Sequence, residues 1–110
     1  MPTFDLPAFI ARLADPEPPR GITPALDALW WAGKGDWDRA HKIVMANEDD
    51  AGAAWVHAYL HRAEGDIPNA NYWYRKAKRS PATGPLETEW QGLVASLIEE
   101  AAAGTTVHED

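Results

Sequence analysis

Two histidines and a glutamate stand at helical spacing near the middle of the chain, and this pattern suggests a metal-binding site. His57, His61 and Glu64 stand at positions i, i+4 and i+7, which places them on one face of a helix. Imidazoles one turn apart can begin a site for a divalent metal ion, and a carboxylate one turn further on could be a third ligand. The HExxH pattern of zinc hydrolases is absent, so the spacing also fits histidines that only pack or lie at the surface.

Two further polar residues extend this hypothesis to catalysis. Asp27 precedes His57 by the 30-residue offset of an internal repeat, and His41 lies between them in the chain. If these side chains face one another between helix layers, an Asp–His pair would fix an imidazole tautomer and could act as a general base. The candidate catalytic residues are therefore His57, His61, Asp27 and His41. The alternative is a buried polar network that only specifies packing.

Other kinds of catalytic site are not indicated. The chain has no cysteine, and Ser80 and Ser96 do not stand in a GxSxG setting. The glycines at 33 and 35 are too close together to form a phosphate-cradling loop. No cofactor is therefore expected, with a divalent metal ion as the one exception.

Capping residues and helix breakers divide the chain into about six helices. Thr23, Asp36 and Asp66 can each cap a helix N-terminus, while Gly65 and Gly104 can end helices. The predicted helices cover about residues 4–14, 24–32, 37–46, 53–63, 67–78 and 85–104. No segment alternates as a strand would, so the predicted fold class is all-α.

An internal repeat links the second and third helices to the fourth and fifth. Residues 29–40 and 59–70 align at an offset of 30 residues, and both contain a Gly-Asp turn, a large apolar residue and then an alanine. This pattern resembles the tetratricopeptide-like helical repeats. The positions of the second copy that fit the family are Ala58, Gly65, Asp66, Ala70, Tyr74 and Ala77. The first copy departs at Val44 and Asn47, and the period is shorter than the family's usual length of about 34 residues.

The resemblance implies stacked helix pairs that bind a protein or peptide partner in a groove. The first helix of each pair would line this groove, and the first and sixth helices of the chain would cap the array. The implied groove residues are Ala25, Leu29, Ala32, Trp55, Tyr59 and Arg62. The segment from residue 57 to residue 77 is also similar to a group of small uncharacterised bacterial proteins, which implies no activity.

Aromatic residues of the fifth helix give a second reason to expect a partner. Tyr72, Trp73 and Tyr74 are consecutive and cannot all point inward, because three adjacent helical positions span most of the circumference. An exposed ring beside Arg75 suits contact with a protein or with a second copy of the chain. The candidate partner-binding residues are therefore Trp55, Tyr59, Arg62, Tyr72, Trp73 and Arg75.

Composition limits the classes of partner and location. The net charge of −7 disfavours binding to nucleic acid, whose affinity comes largely from phosphate neutralisation. No signal peptide and no apolar run of roughly 18 residues is recognisable, so no membrane association is expected. The absence of cysteine suits the cytoplasm. At 110 residues we expect one domain over residues 1–104 and a disordered tail over 105–110.

Charge is unevenly distributed along the chain. Five Lys or Arg residues lie between residues 62 and 79, whereas six acidic residues and no basic ones follow residue 86. The two segments could attract each other across the fold, or they could form an ordinary solvated surface.

Two hypotheses follow for function. The first is a helical-repeat interaction module or scaffold that binds a protein, a peptide or itself. The second is a small metal-binding protein or enzyme that uses the histidine, glutamate and aspartate residues. Histidines that converge on a cleft open to water would favour the second, whereas a continuous surface of exposed aromatic rings would favour the first.

Overall fold

A computed structural model describes residues 4–106, which form six α-helices. The helices are α1 (Leu6–Ala11), α2 (Pro24–Gly33), α3 (Trp37–Met45), α4 (Ala51–Ala63), α5 (Ile67–Ala77) and α6 (Leu86–Thr106). One turn of 3-10 helix, Arg12–Ala14, continues α1. Residues 4–106 contain no strand, so the all-α prediction is confirmed.

Three helix boundaries differ from the predicted ones by two residues. Helix α1 begins at Leu6 because the Asp5 side chain caps it. Helix α4 begins two residues early, because the acidic segment before it supplies an N-cap: the Asp50 carboxylate accepts the Ala53 N–H at 2.8 Å. Helix α6 continues through Gly104 to Thr106, since one glycine costs a helix only about 1 kcal/mol. The rest of the predicted tail, 107–110, lies outside the described residues.

The two Gly-Asp turns have the same backbone. Gly35 and Gly65 have φ angles of 86° and 89°, a left-handed conformation that glycine adopts without strain. Asp36 and Asp66 follow with ψ of 78° in both, and each side chain caps the next helix. The 30-residue offset read from the sequence is therefore also an offset between two equal turns.

The helices pack in consecutive layers. Helices α2 and α3 form one hairpin and α4 and α5 form another, and α4 contacts both helices of the first hairpin. We call α2 and α4 the A-helix layer. Helix α6 contacts α1, α2 and α4, so it lies on this layer.

The main core lies between the A-helix layer, α6 and α1. Trp30 is fully buried, and its indole N–H donates to the Arg12 carbonyl at 3.1 Å. Trp90 of α6 donates to the Leu29 carbonyl at 2.9 Å. Both indoles thus satisfy their polar atom while filling apolar space.

A smaller core joins α4 to α5. Its buried residues are Ala54, Ala58, Ala70, Trp73, Tyr74 and Ala77. Four of these six are alanines, which allow the two helix backbones to approach closely while two rings fill the remaining space.

Ion pairs attach α6 to the second hairpin. Arg62 contacts the Glu89 carboxylate at 2.8 Å, with side chains only 16% and 6% exposed, and the Tyr74 hydroxyl donates to the same carboxylate. Arg79 pairs with Glu100 at 2.6 Å in a more exposed position. The basic and acidic segments of the sequence therefore do meet across the fold.

Two helical glycines give a matched test of this packing. A Cβ added at Gly33 would lie 2.8 Å from Cζ2 of the Trp90 ring, whereas one added at Gly92 would meet nothing within 4 Å. We expect Gly33→Ala to destabilise the protein by about 1–3 kcal/mol through overpacking. Gly92→Ala should stabilise it by about 0.5–1 kcal/mol. Urea unfolding of both variants measures the difference, and a shift of equal sign in both would contradict the packing described.

Candidate functional site

Three of the four histidines converge between α3 and α4. His41 comes from α3, and His57 and His61 come from α4. One potential ligand atom from each of the three lies within 4.8 Å of the other two. His57 and His61 are 3% and 6% exposed, whereas His41 is half-buried. We call these residues the histidine cluster.

Helical periodicity on both helices builds the cluster. His57 and His61 are four residues apart on α4, and their rings stack at 5.0 Å with an interplanar angle of 26°. Trp37 and His41 are four residues apart on α3 and stack at 4.6 Å. Because α3 packs on α4, the His41 ring meets both α4 imidazoles edge-on, at 5.0 and 5.2 Å.

A direct hydrogen bond joins the two helices within the cluster. The Nε2 atoms of His41 and His57 lie 3.2 Å apart, so one of them carries the proton. Nδ1 of His57 is buried and has no hydrogen-bond partner. A buried acceptor without a partner is more common than a buried N–H without one. We therefore assign the proton to Nε2 of His57, which donates to His41.

Glu64 lies beside His61, as the sequence pattern indicated, but it is not in the ligand group that contains His57. Its carboxylate accepts from Nδ1 of His61 at 2.7 Å, so it orients an imidazole, while His41 supplies the third imidazole of the cluster. Glu64 also belongs to a second group of possible ligands with His61 and Asp66, in which both carboxylates are exposed. The spacing alone could not distinguish these outcomes. A histidine and a glutamate at i and i+3 can form a hydrogen bond with each other as readily as they can bind the same metal ion.

Two tryptophans enclose the cluster. Trp73 of α5 stacks on His57 at 3.9 Å with an angle of 16°, and it is only 7% exposed. The Trp37 indole N–H donates to the Leu60 carbonyl at 2.7 Å, which fixes its ring against His41. Of the three consecutive rings in α5, Tyr72 is the exposed one, at 47%. The sequence prediction that at least one ring faces outward is confirmed.

Burial lowers the pKa of two imidazoles of the cluster. Desolvation, followed by the neighbouring His61 and His41, lowers the pKa of His57 from 6.5 to about 3. Desolvation and His61 also lower the pKa of His41, against an opposing effect of the Glu64 and Asp38 carboxylates. At neutral pH His57 and His41 are therefore uncharged, and each imidazole keeps a nitrogen lone pair.

Asp27 does not join the histidines in the described structure. The group of possible ligands around His57 does not include it, so the predicted Asp–His general base is not formed. Burial raises the pKa of Asp27, a hydrogen bond with Trp31 opposes this rise, and one carboxylate oxygen is buried without a partner. The repeat offset placed Asp27 at an equivalent position of α2, but equivalent positions in two stacked units need not face each other.

Helix α6 covers much of the surface on which a groove was expected. Ala25 and Leu29 are buried in the main core, and Arg62 is paired with Glu89. Trp55 is half-buried, with the Arg79 guanidinium 3.9 Å above its ring.

One part of the expected groove remains open. A cavity of about 380 Å³ lies between α1, α2, α4 and α6, with Ala32 and Tyr59 in its wall. A second cavity of about 190 Å³ shares these two residues. Five cavities among the described residues, these two included, have no histidine in their walls. These five cavities therefore lie apart from the histidine cluster.

Comparison of the chain with protein-family models, curated proteins and solved structures finds no match. Within residues 4–106, no helix combines the length and the apolar character needed to cross a bilayer.

The low pKa of His57 predicts a sensitivity to acid. Above pH 6.5 neither the folded nor the unfolded state is protonated at this residue, so its contribution to stability is fully present. Below pH 6.5 the unfolded state gains a proton that the folded state resists down to about pH 3. As the pH is lowered through this window, the free energy of unfolding should fall by up to about 1.4 kcal/mol per pH unit because of this one group.

Urea unfolding between pH 7.5 and pH 5, with a chelator present, measures this slope. His57→Phe keeps a ring against Trp73 but cannot titrate, so its stability should fall less steeply with acid. His108→Phe removes a histidine outside the described residues and serves as the control. An equal slope in the wild type and His57→Phe would show that His57 is not held neutral by the fold.

Proposed function

We propose that the protein is a small helical-repeat interaction module that binds a protein or peptide partner. The observation that supports this is the open cavity of about 380 Å³ at one end of the A-helix layer. The tetratricopeptide-like pattern of the sequence favours the same surface. A module of this kind suits the cytoplasm, because the chain contains no cysteine.

The wall of this cavity combines apolar and polar groups. Ile10, Leu13 and Trp90 supply apolar area, and Ile10 is 40% exposed at this surface. Tyr59 and Glu87 supply polar atoms. A cavity of this size holds about one or two side chains, and the Glu87 carboxylate favours a basic group among them.

The smaller cavity extends this surface along the ends of α2 and α4. It includes Gly35 and Ala63, which follow and end these helices, and it shares Tyr59 with the larger cavity. Carbonyl groups at helix C-termini carry partial negative charge. The combined surface therefore suits a short peptide segment with apolar and basic side chains.

The aromatic end of α5 provides a second surface for self-association. Tyr72 is exposed beside Arg75, while Trp73 is enclosed between His57 and Lys76. Only Tyr72 and Arg75 of the predicted α5 residues are thus accessible to a partner. A homo-oligomer through this surface would leave the open cavity free.

Two exposed apolar residues provide a matched test of the partner site. Ile10 contributes to the cavity wall, whereas Met45, 48% exposed on α3, does not. Ile10→Glu should weaken binding of a partner at least tenfold, because it places a charge in an apolar contact next to Glu87. Met45→Glu should leave binding unchanged.

The partner is first identified by affinity capture with the wild-type protein, and its affinity for both variants is then measured by titration calorimetry. Unchanged affinity in Ile10→Glu, or equal loss in the two variants, would contradict binding at the cavity. Light scattering of the wild type and of Tyr72→Ala tests self-association at the α5 surface. Only if the chain self-associates there should the variant have a lower molar mass in solution than the wild type.

A further inference from the structure

We propose that His41, His57 and His61 together bind one divalent transition-metal ion of the zinc class, which links α3 to α4. The ion would be structural, since its ligands come from two packed helices and two of them are almost fully buried. This inference does not depend on partner binding at the A-helix layer, because the cavity there is lined by different residues.

The distances within the cluster approach those of a tetrahedral ion. Zinc–nitrogen bonds of about 2.0–2.1 Å place two ligand nitrogens of one tetrahedral ion about 3.3–3.4 Å apart. Nε2 of His41 and Nε2 of His57 are already 3.2 Å apart. The third imidazole lies within 4.8 Å, so a side-chain movement of about 1.5 Å completes a three-nitrogen set.

The donor atoms select the class of ion. All three donors are imidazole nitrogens, which suit zinc, copper and nickel. Magnesium and calcium prefer oxygen ligands and would not compete for this set. The half-buried His41 leaves a side from which a water molecule can complete four-coordination.

Groups around the cluster already orient its imidazoles. Glu64 accepts from Nδ1 of His61, which leaves Nε2 of that ring as the lone pair available to an ion. A carboxylate on the far nitrogen of a ligating histidine is a common outer-shell partner, and its loss usually costs 10–100-fold in affinity. Trp37 and Trp73 stack on His41 and His57 and restrict their ring rotation.

The local electrostatics favour a cation at this position. His61 lies in the last turn of α4, where the helix dipole is negative. The Glu64 and Asp38 carboxylates act on His41 from the surface side. The basic residues nearest to the cluster in sequence point elsewhere: Arg62 pairs with Glu89, Arg39 lies over the Trp31 ring, and Lys42 is exposed.

Apolar packing alone does not account for the cluster. Three imidazoles in mutual contact are desolvated, and Nδ1 of His57 has no partner at all. Ordinary apolar side chains would fill the same space without that cost. Coordination through Nε2 of His57 moves its proton to Nδ1 and leaves a buried N–H unsatisfied, so we expect micromolar affinity rather than the tightest zinc binding.

Titration of untagged, chelator-treated protein with zinc chloride tests the proposal, with calorimetry for affinity and thermal unfolding for stability. We expect one zinc ion per chain, micromolar affinity, and a melting temperature about 5 °C or more higher with excess zinc. Millimolar magnesium should produce no shift. Cobalt(II) should give the visible absorption of a tetrahedral site.

Three variants assign the binding to the cluster. His41→Asn changes the least buried ligand, so it should fold, yet lose zinc affinity at least 100-fold. Glu64→Gln should lose about 10–100-fold. His108→Asn, which removes the one histidine outside the cluster, should bind as the wild type does.

Two results would overturn the proposal. One is a wild-type protein, shown to be folded by circular dichroism, that binds no zinc at 100 micromolar. The other is His41→Asn with wild-type affinity, which would move the ion to the exposed group of His61, Glu64 and Asp66 or to another surface site. Neither result bears on partner binding through Ile10.

Discussion

The structure depends on the burial of α4 on most of its sides. This 13-residue helix contacts α2, α3, α5 and α6, and seven of its residues are buried. A helix packed in this way has little solvent available for its polar side chains, so His57 and His61 must find partners inside the protein. They find them in His41 on the neighbouring helix and in Glu64 at the end of their own. The histidine cluster is thus a direct result of where α4 lies.

Local signals in the sequence were sufficient for the helices. Thr23, Asp36 and Asp66 each accept the backbone N–H that an N-cap should accept, and the glycines of the two turns adopt the left-handed conformation that the pattern predicts. These signals act over three or four residues, so a single sequence contains them completely. The position of α6 was not predictable in this way, because it depends on contacts between residues such as Leu29 and Trp90, far apart in the chain.

In the candidate site, too, contacts within one helix were predictable from the sequence, whereas contacts between helices were not. The stack of His57 on His61 follows from a spacing of four residues on one helix. The approach of His41 depends on how α3 crosses α4, and the position of Asp27 depends on how α2 packs against α4. The spacing of residues along the chain determines neither of these. A Trp37–His41 pair at the same spacing on α3 was the one signal that could have indicated a second aromatic face turned toward α4.

The hydrogen bond between the Trp90 indole and the Leu29 carbonyl spans 61 residues of sequence. Helix α6 also supplies Leu93, Val94 and Leu97 to the main core, so a helix that follows the first hairpin by about 40 residues closes its core. During synthesis, the ribosome releases α2 and α3 well before their cover exists. The nascent chain therefore exposes this apolar surface until α6 has emerged, and during that interval it is most open to aggregation or to capture by chaperones.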